Sequence, residues 1–161
     1  MDYQGKTICC ALRDSVLEVE LHRAPCNEIG LETLDELEVL ADYIQSASSL
    51  PPLVIYSSLQ SGFCAGADLK ALYHFLSDAH TAEEKQVALE QVRDFLNRIH
   101  RVFNIIDSAP TTTIAALHGP VFGGGFELAL TCDVMVADAS SRFVFLSCAW
   151  GWFLVLVGFR V

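Results

Sequence analysis

The sequence predicts a single α/β domain. Two short apolar runs, at residues 53–56 and 112–117, have the length of buried strands. Each leads through a glycine-rich turn into a segment with the composition of a helix. Hydrophobic residues make up 52% of the 161 residues and charged residues 19%. This composition argues against a disordered chain and supplies enough apolar surface for one packed core.

Periodicity and turn residues predict the other elements in order. Strands are expected at residues 7–11 and 16–21, joined by a turn at Arg13 and Asp14, and at residues 134–137 and 143–145. Helices are expected at residues 31–44, 81–107 and 126–132. The longest helix begins with a capping box formed by Thr81 and Glu84. The order is β-β-α-β-α-β-α-β, and the strand at 53–56 is expected to be buried on both faces.

Charge and cysteine content limit the class of protein. The net charge of −10 argues against non-specific nucleic-acid binding, which needs clustered lysine and arginine. The six cysteines form no C-x-x-C pair, so they are predicted to be small buried hydrophobic residues in a reducing compartment, with no metal site. The N-terminus lacks the features of a signal peptide, which predicts a cytoplasmic protein. On the first helix Glu32, Asp35, Glu36 and Asp42 are expected to form a solvated face.

The two glycine-rich segments carry the candidate chemistry. They are residues 61–70, S-G-F-C-A-G-A-D-L-K, and residues 118–128, H-G-P-V-F-G-G-G-F-E-L. Glycine at a strand-to-helix junction lets backbone N–H groups approach a ligand in the positive field of a helix N-terminus. Two facing junctions would hold one developing oxyanion, and Glu127 beside them would serve as a general acid or base.

Structural alternatives stay open for each of these residues. A glycine-rich turn often only packs a helix closely on a sheet, Asp68 has the position of a helix cap, and Glu127 is favourable near a helix N-terminus for its charge alone. His118 is either a ligand contact or an ordinary loop or core histidine. The segments match neither the Walker A loop nor the dinucleotide fingerprint, and no G-x-S-x-G is present.

At these two segments the sequence resembles the enoyl-CoA hydratase/isomerase (crotonase) superfamily. The resemblance rests on F-C-A-G-A-D-L-K and H-G-P-V-F-G-G-G-F-E-L-A-L-T-C-D, and extends over about residues 7–145. It implies a crotonase-like (ClpP/crotonase) spiral of β-β-α units that is incomplete at the C-terminus, in a homo-oligomer built of trimers. It also implies acyl-CoA substrates of fatty acid metabolism, with no cofactor beyond the CoA of the substrate.

The resemblance also implies roles for individual residues. The backbone N–H groups of Ala65 and Gly124 would form the oxyanion hole, and Glu127 would be the catalytic acid or base. The substrate would lie against Ala65, Gly66, Ala67, Asp68, Leu69, Gly123 and Gly124. Glu127 corresponds to a glutamate that hydratases use, so hydration of a 2,3-unsaturated acyl-CoA is the expected reaction. An isomerase and a non-catalytic acyl-CoA-binding or subunit-interaction protein are the alternatives.

The sequence departs from the family pattern near its end. The family has a second catalytic glutamate in a Pro-Glu segment after the strand at 143–145, but no glutamate follows Glu127 here. We therefore expect a core at residues 1–145 and a divergent apolar tail at 146–161, with impaired hydratase activity for this chain alone. A frameshift, a truncation and a genuine variant all explain such a tail, which is an association hazard. A membrane anchor is the less favoured alternative.

Overall fold

The structure is a computed structural model that describes residues 1–145, so the predicted tail lies outside the described residues. Its strands are β1 Asp2–Gln4, β2 Ile8–Arg13, β3 Val16–Leu21, β4 Leu53–Ser57, β5 Thr113–Leu117, β6 Pro120–Phe122, β7 Val134–Ala137 and β8 Arg142–Val144. Its helices are α1 Leu31–Ser46, α2 Leu69–Ser77, α3 Ala82–Asp107 and α4 Gly124–Leu130. The predicted α/β class is confirmed.

The main sheet brings the two glycine-rich segments together. Its strand order is β1-β2-β3-β4-β5-β7, and β6 pairs with β8 in a separate two-stranded sheet. The β1–β2 and β2–β3 pairs are antiparallel, whereas β3, β4, β5 and β7 run parallel. Since β4 and β5 are parallel neighbours, their carboxyl ends lie at the same edge of the sheet. The glycine-rich segments follow these two strands and therefore meet at that edge.

The core lies on the face of the sheet covered by α1 and α3. Leu53, Ile55 and Ala115 point into it and are at most 1% exposed. Val54 and Tyr56, on the other face of β4, are half-buried. The expectation of a strand buried on both faces is therefore wrong for β4, because α1 and α3 cover only one side of the sheet within the described residues.

The turn between β2 and β3 differs from the prediction. Arg13 is the last residue of β2 and pairs with Val16, so the turn consists of Asp14 and Ser15 rather than Arg13 and Asp14. Both turn residues have positive φ angles, of 47° and 67°, as a tight two-residue hairpin requires. The sequence did not predict β1 or β6. Each has only three residues and is a strand only through its pairing with a neighbouring strand.

One acidic residue of α1 does not lie on a solvated face. Glu32, Asp35 and Asp42 are exposed as expected, but Glu36 is only 8% exposed. Its carboxylate accepts hydrogen bonds from the backbone N–H groups of Lys6, Thr7 and Ile8 and from the Thr7 hydroxyl, at 2.6–2.9 Å. Burial on its own raises the pKa of Glu36. The hydrogen bonds to the carboxylate have the opposite and larger effect, so the net pKa is below its ordinary value. Glu36 therefore fixes α1 to the start of β2.

The helix ends agree with the predicted capping. The Thr81 side chain accepts a hydrogen bond from the Glu84 N–H at 3.1 Å, and the Glu84 carboxylate accepts one from the Thr81 N–H at 2.9 Å. This confirms the capping box of α3. The helix α4 begins at Gly124 rather than at residue 126, so Glu127 lies in its first turn. The last strand, β8, covers 142–144 rather than 143–145.

Candidate active site

The first glycine-rich loop runs from Cys64 to Asp68, between β4 and α2, and pairs with a distant segment of the chain. The Ala65 N–H donates to the Cys26 carbonyl at 2.9 Å. The Ile29 N–H donates to the Gly66 carbonyl at 2.8 Å, and the Asp68 N–H donates to the Ile29 carbonyl at 3.0 Å. The loop is therefore bonded to residues 26–29 like a short parallel strand.

This pairing decides which N–H groups of the loop are free. The Ala65 N–H is used by Cys26, so the prediction that it is an oxyanion donor is wrong for this structure. Ile29 bonds to the two residues that flank Ala67, and in a parallel pair the N–H of the residue between them points to the other side. Within residues 1–145 the Ala67 N–H has no acceptor. The free donor of this loop is Ala67.

Asp68 caps α2 and is held by an arginine. Its Oδ1 accepts a hydrogen bond from the Ala71 N–H at 3.0 Å, and its Oδ2 lies 2.7 Å from an Arg23 guanidinium nitrogen. Arg23 also donates to the Glu28 carbonyl. Burial on its own raises the pKa of Asp68, but the bonds from Arg23 and Ala71 lower it below its ordinary value. Both carboxylate oxygens thus have protein partners, which supports the reading of Asp68 as a cap.

The second glycine-rich loop leads from β6 into α4. The Gly123 N–H donates to the Val144 carbonyl at 2.9 Å, and the Gly123 carbonyl accepts the N–H groups of Phe126 and Glu127, each at 2.9 Å. Gly123 has a φ of 48° and is the N-cap of α4, a conformation that favours glycine. Gly124 is the first helical residue, so its N–H has no acceptor within the helix.

The two loops are in direct backbone contact. The Cys64 carbonyl accepts a hydrogen bond from the Phe122 N–H at 2.9 Å. A Cβ built on Gly66 would lie 3.2 Å from the Gly124 nitrogen, and a Cβ built on Gly124 would lie 3.7 Å from the Ala67 nitrogen. The nitrogens of Ala67 and Gly124 therefore lie near one another where the two loops meet. Together they make two adjacent donors at the start of a helix, where negative charge is favoured.

Glu127 is the titratable group beside these donors. It lies in the first turn of α4, three residues after Gly124, and is half-buried. Burial raises the pKa of its carboxyl group to about 7. No salt-bridge partner of Glu127 lies within residues 1–145. A carboxyl group with a pKa near neutrality exchanges protons readily at physiological pH, which suits a general acid or base.

The other predicted site residues have the following places. Leu69 is the first residue of α2 and is 61% exposed next to the first loop. His118 contacts the Leu59 carbonyl through Nε2 at 2.8 Å. It therefore links the loop after β5 to the loop after β4, which agrees with the loop-histidine alternative.

No cluster of three or more histidine, cysteine or acidic side chains within residues 1–145 could hold a metal ion. No helix in the described part of the chain is long and apolar enough to cross a membrane.

Sequence reasoning missed the segment that supports the first loop. Asn27 has a φ of 53° and is 3% exposed, and its Nδ2 donates to the Ser57 hydroxyl at 2.8 Å and the Phe63 carbonyl at 2.9 Å. Residues 25–29 lie between the predicted strand at 16–21 and the predicted helix at 31–44, and no local pattern indicates their partner. The role of Arg23 had no sequence signal either, because Asp68 lies 45 residues away.

Comparisons with known proteins identify the family of this chain. The enoyl-CoA hydratase/isomerase family model matches residues 12–155. Over 116 residues the chain is 34% identical to human methylglutaconyl-CoA hydratase, mitochondrial, covering 72% of this chain and 31% of that protein. It is 32% identical over 127 residues to human enoyl-CoA hydratase domain-containing protein 2, mitochondrial, covering 78% and 39% respectively. The chain thus spans less than half the length of these relatives.

Solved structures share the fold. The crystal structure of an enoyl-CoA hydratase from Bacillus anthracis superposes with a TM-score of 0.71 at 27% identity, covering 86% of this chain and 50% of that chain. A structure from Geobacillus kaustophilus gives a TM-score of 0.76 at 23% identity, covering 94% and 53%, and supports the fold alone. The predicted crotonase-like fold is confirmed, with the chain spanning about half of the solved chains. On its fold and on the family match, this chain belongs to the enoyl-CoA hydratase/isomerase family.

Proposed function

We propose that this chain binds an acyl-CoA thioester and stabilises negative charge on the thioester oxygen with the backbone N–H groups of Ala67 and Gly124. The observation that carries the proposal is the contact between the two loops, which leaves these two donors adjacent and without an acceptor within residues 1–145. Preorganised donors of this kind stabilise a developing oxyanion because they need no reorientation during the reaction. Ala67 replaces the initially predicted Ala65 in this role.

The proposed reaction is hydration of a 2,3-unsaturated acyl-CoA. Glu127 takes a proton from a water molecule whose oxygen adds to C3, and the π electrons move through C2 onto the thioester oxygen, which Ala67 and Gly124 hold. Glu127 then gives this proton to C2, which regenerates its carboxylate, and the thioester carbonyl is restored. The pKa of about 7 for Glu127 supports its part in this proton transfer, because the group is substantially ionised at neutral pH. The names of the relatives also support a hydratase.

The remaining expectations belong to the same proposal. The substrate lies along Gly66, Ala67 and Gly123, and no cofactor is needed beyond the CoA of the substrate. A cytoplasmic location and a homo-oligomer stay predictions; both human relatives named above carry the word mitochondrial in their names. The absence of a glutamate after Glu127 in the sequence predicts a hydratase slower than one with two glutamates.

Hydration of crotonyl-CoA by the wild type and by Glu127→Gln tests the proposal. We expect the substitution to lower kcat by about 100-fold, because it removes the acid–base group and keeps its shape. Glu83→Gln is the matched control: Glu83 lies in the first turn of α3 and is exposed, so its substitution leaves kcat unchanged. Equal activity of Glu127→Gln and the wild type would remove Glu127 from the mechanism.

The same missing glutamate favours a second candidate, a non-catalytic protein that binds acyl-CoA or another subunit. Calorimetric titration with crotonyl-CoA separates the two. Binding without turnover supports the second candidate, and binding with turnover supports the hydratase. A lack of binding contradicts acyl-CoA recognition by both the hydratase and the non-catalytic protein. An isomerase would be recognised in the activity assay, because it moves the double bond without uptake of water.

A further inference from the structure

A cysteine and a histidine are in contact on the first three strands of the main sheet. The Cys9 Sγ lies 3.1 Å from the Nε2 of His22 and 3.2 Å from the Oε1 of Gln4. Cys9 is on β2, Gln4 is its register partner on β1, and His22 directly follows β3. The glycine-rich loops follow β4 and β5. The thiol–imidazole cluster of Gln4, Cys9 and His22 lies at the same edge of the sheet, one residue before the Arg23 that holds Asp68, but it shares no residue with the proposed oxyanion donors or with Glu127.

Cys9 differs from the buried cysteines in its surroundings. The alternation along β2 places Cys10 in the core, fully buried, and Cys9 on the opposite, half-buried face. Burial raises the pKa of the Cys10, Cys64 and Cys132 thiols to about 12, which keeps them protonated and unreactive. Cys9 is the thiol that touches an imidazole among the cysteines the structure describes.

The neighbouring groups hold the thiol beside the imidazole. Glu20 is the cross-strand partner of Cys9 on β3, and it lies on the same face as His22, two residues away. The Gln4 amide oxygen accepts the Sγ–H in the resting state and keeps the sulfur beside Nε2. A thiol paired with a base within hydrogen-bond distance has the arrangement of an activated nucleophile.

We propose that Cys9 is a reactive thiol activated by His22, and that it is a modification site for α,β-unsaturated carbonyl compounds. In the reaction the Sγ–H proton passes to Nε2 of His22 while Sγ forms a bond to the β-carbon of the electrophile. The π pair of the double bond moves toward the carbonyl oxygen as an enolate. The enolate then takes a proton at the α-carbon from the imidazolium, so nothing leaves and His22 is regenerated.

Competitive labelling within one molecule tests the proposal. N-ethylmaleimide is the probe, and peptide mass spectrometry follows the rates at Cys9 and Cys26 at pH 7. Cys26 is the matched control, because it is also half-buried and its Sγ has no hydrogen-bond partner within residues 1–145. We expect Cys9 to react about tenfold faster than Cys26. Equal rates, or a faster Cys26, would overturn the proposal.

A substitution of the base adds a second measurement. His22→Gln keeps the backbone bond from residue 22 to the Thr7 carbonyl and removes the imidazole. With folding verified by circular dichroism, the Cys9 rate should fall to that of Cys26, while the Cys26 rate stays unchanged. An unchanged Cys9 rate in the folded variant contradicts activation by His22. If the variant does not fold, the ratio of the two rates in the wild type decides alone.

Discussion

The two glycine-rich loops present one free N–H each, but they are held in different ways. The first loop takes its conformation from outside itself: residues 26–29 bond along it, and Arg23 holds its Asp68. The second loop takes its conformation from the helix that it begins, with Gly123 as the N-cap and Gly124 as the first residue of α4. The first donor therefore depends on long-range pairing, and the second on the geometry of a helix start.

This difference predicts unlike responses to the same substitution, and the largest effect is on stability. An alanine at Gly66 would need a φ of 95° and would place its Cβ 2.8 Å from the Phe122 carbonyl oxygen, which should cost about 3 kcal/mol of unfolding free energy. An alanine at Gly124 would meet its nearest atom at 3.7 Å, so we expect a change below about 1 kcal/mol. Urea denaturation of both variants measures the contrast, and equal losses would contradict it.

The support of the first loop by Arg23 is the next test. Arg23→Met removes the ion pair to Asp68 and the bond to the Glu28 carbonyl, both partly shielded from water, and should cost about 1 kcal/mol. Arg101→Met is the matched control, since its pair with Asp42 is exposed and should contribute less than about 0.5 kcal/mol. Urea denaturation again provides the measurement. If Arg101→Met lowers the free energy of unfolding as much as Arg23→Met does, the ion pair between Arg23 and Asp68 does not support the loop.

The carboxyl groups of the two loops predict opposite pH dependences of small size. Asp68 has a folded-state pKa below its ordinary value, so its contribution to stability is present at neutral pH and is lost as the pH falls below about 4. Glu127 has a folded-state pKa raised to about 7, so its contribution is present below about pH 4.5 and is lost as the pH rises to 7.

Between pH 4.5 and 7 we therefore expect the free energy of unfolding of the wild type to fall by about 1 kcal/mol relative to that of Glu127→Gln. This value allows for the partial exposure of the Glu127 carboxyl group. Relative to Asp68→Asn, the wild type should instead lose stability as the pH falls below about 4. Thermal unfolding across this range gives both differences. A difference between the wild type and Glu127→Gln that does not change with pH would show that burial does not shift the Glu127 pKa.

The second loop depends less on the rest of the chain than the first, for the same physical reason. The segment 123–127 contains its own N-cap, a first-turn donor and its glutamate, so the roles that the resemblance implies for Gly124 and Glu127 are compatible with the local structure and stay predictions. In the first loop the resemblance implied Ala65 as the donor, whereas the structure leaves the Ala67 N–H free instead. The choice between them depends on which N–H is used by Cys26, and this contact joins residues that lie far apart in the chain.

Other differences between prediction and structure have the same origin. Glu36 looked like any solvated acidic residue of an amphipathic helix, and its burial follows from three backbone N–H groups of a strand start about 30 residues away. The strands β1 and β6 are too short to carry a period-two pattern, so only their partners reveal them. The order and type of the longer elements were predictable, because strong periodicity and capping residues are local.

The proposed contact of Ala67 and Gly124 with the thioester oxygen can be measured through the carbonyl stretching frequency of bound crotonyl-CoA. Two N–H donors polarise the carbonyl and lower its frequency, so difference infrared spectroscopy with a 13C-labelled thioester should show a downward shift on binding. Glu127→Gln should keep the shift, whereas Gly124→Ala should lose most of it, because its methyl group would lie beside the Ala67 nitrogen. A bound thioester with an unshifted frequency, or an equal shift in Gly124→Ala, would contradict the account.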